Sequence, residues 1–67
     1  MNITPFQTVI LTVIKMQPQI TFEKLHNTLE LSNEMQLDKG WLKKQLNELE
    51  EMAQIIWQQD ENKISLI

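Results

Sequence analysis

A mainly α-helical domain closed by a C-terminal β-hairpin is what this 67-residue sequence predicts. Apolar residues recur at helical spacing in three separate stretches. Each stretch follows a residue suited to capping a helix start, Thr4, Thr21 and Asp38 in turn. Near the C-terminus two short apolar runs flank the polar turn Asp60-Glu61-Asn62-Lys63, the pattern of a hairpin.

The first helix is predicted over 5–16. Thr8 to Ile14 is rich in β-branched residues and leans toward strand by propensity. Periodicity overrides this, because Thr4, Thr8, Thr12 and Lys15 recur at helical spacing and apolar never alternates with polar. Pro5 fits the first helical position, where its missing N–H costs nothing, and Gln17-Pro18 ends the helix. Phe6, Val9, Ile10, Val13 and Ile14 can face one core, with Leu11 partly outside that arc. So wide an apolar face suggests burial from two sides, as in a homodimer.

The second helix is expected over 21–31. Phe22, Leu25, His26 and Leu29 follow the i, i+3, i+4, i+7 rule, with Glu23 favourable to the dipole of the first turn. Ser32-Asn33 favour a turn, and Met35 and Leu37 are expected to tuck toward the core. Asp38 caps the third helix, over 38–52. On a wheel, Leu42, Leu46, Leu49 and Ala53 form its buried stripe, with Trp41, Gln45 and Met52 on one shoulder. Gly40, Lys43, Lys44, Asn47, Glu48 and Glu51 point to solvent. The hairpin spans 55–67, with Ile55, Trp57 and Gln59 on one face of its first strand and Ile64 and Leu66 sharing a face of the second. Residues 1–67 form one domain, since a second core has nowhere to form in this length.

Composition excludes most chemistry. Cys is absent and there is one His, so neither a Cys-type zinc site nor a His-rich metal site can be assembled. No glycine-rich phosphate loop, nucleophile elbow or metal-ligand spacing occurs, and the acids Glu48, Glu50 and Glu51 read as a solvated face. No enzyme, catalytic residue, metal or cofactor is expected. Net charge is −3, from six Lys and no Arg against nine acids, which gives no global pull toward nucleic acid or anionic membrane. No apolar run approaches the ~20 residues that span a bilayer. No secretory leader is visible, and a cytoplasmic location is expected. His26 is expected to be half-buried and hydrogen-bonded, Trp57 to pack the hairpin onto the helices, and Met16, Met35 and Met52 to fill the core.

The element order, with Leu42-Lys43-Lys44-Gln45-Leu46-Asn47-Glu48-Leu49 leading through Met52-Ala53-Gln54 into Ile55, resembles the winged helix-turn-helix. It is loosely similar to small bacterial repressors of the arsenic-sensing and multiple-antibiotic-resistance kinds. In those families a Gly-containing turn precedes the wing; here Met52-Ala53-Gln54 stands in its place. The resemblance implies double-stranded DNA as partner, the third helix in the major groove and a role in transcription regulation. Carried over, the nucleic-acid-binding candidates are Lys39, Gly40, Lys43, Lys44 and Asn47 on that helix, with Lys63 at the hairpin. Lysines would hold phosphates and Asn47 could pair with an adenine edge.

Two departures keep a second reading open. The hairpin tip is acidic, and the link between the second and third helices exceeds the usual three or four residues. An acidic winged-helix interaction module, an accessory subunit or phage-type inhibitor that binds protein and not DNA, is the alternative. Leu11, Trp41 and Leu66 are its candidate interface residues. The order of charges along the third helix favours DNA. Lys39, Lys43 and Lys44 sit in its first half and Glu48, Glu50 and Glu51 toward its end, against the helix dipole. On the plainer view these are solvated lysines, with Lys44 and Glu48 forming a weak i, i+4 pair.

Overall fold

In the computed structural model, which describes residues 2–67, the chain runs α1 (Pro5–Met16), α2 (Phe22–Asn33), α3 (Lys39–Glu51), β1 (Ile55–Gln58) and β2 (Lys63–Leu66). The predicted fold class is the observed one. α1 begins as its sequence dictates. Thr4 Oγ1 accepts the backbone N–H of Gln7 at 3.1 Å and Gln7 Oε1 accepts that of Thr4 at 3.0 Å, a reciprocal capping box. Thr8 and Thr12 return their hydroxyls to carbonyls one turn back, which reconciles β-branched polar residues with a helix. After Gln17-Pro18 the chain turns through Gln19, whose φ of 62° is left-handed, into Ile20. The carbonyl of Ile20 accepts the N–H of Ile64 at 2.8 Å, an isolated bridge that ties the segment between α1 and α2 to β2.

α2 extends two residues beyond the expected 31, through Ser32 and Asn33, because Asn33 Nδ2 bonds back to the Leu29 carbonyl and Glu34 takes the left-handed cap at φ 50°. The link to α3 is the five residues 34–38. It is fastened at Leu37, whose N–H is accepted by Glu30 Oε2 at 2.9 Å and whose carbonyl accepts His26 Nε2–H. Nε2 is therefore the donor, while Nδ1 is buried without a hydrogen-bond partner. Leu37 is buried as expected, but Met35 stays exposed on the outer side of the link.

α3 is capped by Asp38, which accepts the backbone N–H of Trp41 at 2.8 Å. The helix proper runs 39–51, with 38 and 52 as its caps. It closes with paired bonds from Ala53 N–H to Glu50 O and from Gln54 N–H to Leu49 O, each 3.0 Å, around Ala53 at φ 58°. This is a Schellman turn with alanine where glycine is usual. Ala53 therefore lies exposed beyond the helix instead of continuing the Leu42–Leu46–Leu49 stripe.

The core joins all elements: Ile10 and Ile14 of α1, Leu25 and Leu29 of α2, Leu42, Leu46 and Leu49 of α3, and Ile55 and Ile64 of the hairpin, all 1% exposed or less. Phe6, Val9, Leu11, Val13, Met52 and Trp57 pack around it, half-buried. Met16 is 76% exposed, so only Met52 of the three expected methionine fillers touches the core. Gln7 and Gln45 are buried, and Gln7 Nε2 donates to Gln45 Oε1 across α1 and α3 at 3.0 Å while Gln7 Oε1 accepts from Thr4, which satisfies both sides of the Gln7 amide. The hairpin pairs Ile55 with Leu66 and Trp57 with Ile64, antiparallel. The backbone N–H of Trp57 on the outer edge of β1 is taken by Glu50 Oε2 at 3.3 Å, so Glu50 guards a strand edge and is not merely solvated.

Candidate nucleic-acid interface

α3 turns Leu42, Gln45, Leu46 and Leu49 inward, and its opposite side is free. At 100° per residue, Lys43, Asn47, Gly40 and Lys44 fall within an arc of about 100° on that side, which Glu51 shares, with Lys39 at its edge beside Leu46, and all six are exposed. The expected outward face of α3 is thus present, except that Glu48 is half-buried. Gly40 has a local reason. A Cβ there would sit 3.1 Å from Asp38 Oδ2, the oxygen that caps the helix. Glycine lets the cap carboxylate close over the first turn.

Among the described residues no lysine ammonium comes within 4.0 Å of a carboxylate, so the Lys44–Glu48 pair is not formed. The α3 lysines are thus not engaged by a carboxylate at contact distance. They do not all share one surroundings. Lys39 and Lys43 line an open cleft of about 370 Å³ with Phe22 and Glu23 of α2 and Trp57, Gln59 and Asn62 of the hairpin. Lys44 and Asn47 are not part of its lining, and neither is Lys63, which sits half-buried on β2 opposite Gln58.

The cleft wall is built by aromatic packing. Phe22 and Trp57 stack with centroids 5.6 Å apart and planes 8° from parallel, which ties the hairpin to the start of α2. Lys43 Nζ lies 5.9 Å from the centre of the Phe22 ring, a cation–π contact worth about 0.5–1 kcal/mol at an exposed site. Asn62, at φ 52° in the hairpin turn, donates from Nδ2 to Glu23 Oε2 at 2.7 Å. Glu23's own backbone N–H, then Asn62, hold its carboxyl below the usual carboxylate range. The Lys39 and Lys43 charges add to this, and slight desolvation opposes it.

Sequence reasoning missed Glu23 and Asn62 as members of this cleft. Their separation in the chain hides a contact that only hairpin docking creates. It also missed Gln7, although Thr4-Pro5-Phe6-Gln7 spells a capping box.

The residues expected at a protein interface divide. Leu11 and Leu66 meet in a shallow groove of about 280 Å³ with Thr8, Thr12, Lys15, Gln54 and Ile67. Trp41 stands apart, 41% exposed, with its ring 5.0 Å from that of Phe6. Among the described residues no group of three or more acids or His is placed to hold a metal, and no helix is long and apolar enough to cross a membrane. No protein-family model, curated protein or solved structure matches the chain.

Proposed function

We propose that this chain is a winged helix-turn-helix protein that binds double-stranded DNA, laying α3 in the major groove, and that it regulates transcription. The observation that carries the reading is the exposed arc of Lys39, Gly40, Lys43, Lys44 and Asn47 on α3, whose ammonium groups no internal carboxylate neutralises at contact distance. The short bridge from Ile20 to Ile64 supports the winged-helix layout, because it ties the hairpin to the segment between α1 and α2. Lysines anchor phosphates, Asn47 is available to a base edge, and Asn62 and Gln59 bring the hairpin turn to the same side. One weakly basic domain binds weakly. A homodimer formed over the Leu11–Leu66 groove would place two α3 helices on two half-sites.

Titration of a labelled duplex by anisotropy at two salt concentrations tests this. Replacing Lys39, Lys43 and Lys44 together by Ala is expected to abolish measurable binding at moderate salt. Replacing Lys43 and Lys44 alone should reduce the salt slope by about 1.8, some 0.9 for each phosphate that is no longer neutralised. Wild-type protein that fails to bind duplex at low salt, or lysine variants with an unchanged slope, would remove α3 from the mechanism.

A protein-interaction module without DNA contacts is the second reading. It is favoured by Asp60 and Glu61 at the exposed hairpin tip, which phosphates would repel, and by Trp41 on the outer flank of α3. A stoichiometric protein partner in material purified from the native host, with no retained DNA, would favour it.

A further inference from the structure

The cleft between the start of α2, α3 and the hairpin holds opposite charges that face each other without touching. Glu23 stands on one wall, tethered to Asn62 at 2.7 Å. Lys39 and Lys43 line the same cleft, yet neither ammonium lies within 4.0 Å of a carboxylate. The space between them is open and about 370 Å³ in volume. An ordinary surface ion pair would have closed this gap. Here Glu23 is held back by the helix start and the hairpin amide, and Lys43 is held over the Phe22 ring.

We propose that this cleft is a phosphate-binding site and that Glu23 is its internal counter-ion. A phosphate entering between Lys39 and Lys43 displaces the Glu23 carboxylate from Asn62 and takes over the Asn62 amide as a donor. Assigning that phosphate to the DNA backbone rests on the DNA-binding reading above; the chemistry of the site does not. Glu23 sets the affinity of the face. It lowers the potential at the two lysines in the free protein, so that only a doubly contacted phosphate competes successfully.

Glu23→Gln removes the charge and keeps an acceptor for Asn62. Two probes separate the sources of phosphate: inorganic pyrophosphate, followed by Trp57 emission in a Trp41→Phe background, and a short mixed-sequence duplex. The variant is expected to bind each about two- to fivefold tighter at low salt. The gain should shrink as salt screens it and vanish in a Lys39→Ala/Lys43→Ala background. Equal affinity of wild type and Glu23→Gln for both probes overturns the proposal. So does an equal gain without the two lysines, which is only a change of net charge, or failure of both probes to bind any variant. Tighter pyrophosphate binding with no duplex binding upholds the site, points to a small phosphorylated ligand and removes the DNA reading. Should Glu23→Gln fold poorly, the carboxyl ¹³C resonance of Glu23 in the wild type gives the answer: it moves on pyrophosphate addition if Glu23 is displaced, and a fixed resonance overturns the proposal.

Discussion

Ala53 carries the clearest local cost in the chain. Its φ of 58° puts a Cβ in the left-handed region, at the position where the α3 cap bonds need that conformation. The left-handed penalty for a side chain is about 1–2 kcal/mol, partly offset by the greater freedom that glycine has when unfolded. Ala53→Gly is therefore expected to raise stability by about 0.5–1 kcal/mol, read as a higher urea midpoint with unchanged slope. A lower midpoint would contradict the cap geometry. The position was legible from sequence as the point where a glycine turn should stand. Its conformation was not, because alanine reads as a helix former and extended the leucine stripe one step too far. Gln7 and Gln45 show a related limit: the helical wheel places Gln45 only on the shoulder of the leucine stripe and Gln7 not at all, and their contact across the core is what shows both inside.

At the scale of elements, the caps and apolar periods sufficed. Thr4, Thr21 and Asp38 each accept the backbone N–H they were expected to accept, and α1 stays helical through its β-branched run. The end of α2 was hidden because Ser32 and Asn33 favour turns locally, whereas Asn33 bonds back into the helix. Contacts between elements were hidden altogether. Glu23 to Asn62 is one such contact, and it makes a pH prediction. The folded-state carboxyl of Glu23 lies below its ordinary value of 4.5. Its contribution to stability is therefore complete above that value and lost as pH falls through the folded value. Urea midpoints of Glu23→Gln should fall below those of the wild type at neutral pH and converge with them as pH drops below 4.5. Parallel profiles would mean that the carboxylate gains nothing on folding.

For the whole molecule, the proposed DNA contact asks how a chain of net charge −3 would meet a polyanion. Along α3 the lysines stand in the first half and Glu48, Glu50 and Glu51 toward the end. α3 presents three lysines and an asparagine on its free side, while Asp60 and Glu61 stand at the hairpin tip. On the proposed reading, approach is most favourable in an orientation that leads with the lysine-bearing start of α3 and holds the tip away. The sequence order of charges on α3 made that face visible in advance. That two of its lysines share a cleft with Glu23 depended on where the hairpin docks. Mapping backbone amide shifts during duplex titration tests the lysine-bearing face most directly. The largest changes are expected across Lys39 to Asn47, with smaller ones at Gln59 to Lys63. Changes confined to Thr8–Lys15 and Leu66, or no changes at saturating duplex, would contradict the assignment of α3 as the nucleic-acid contact.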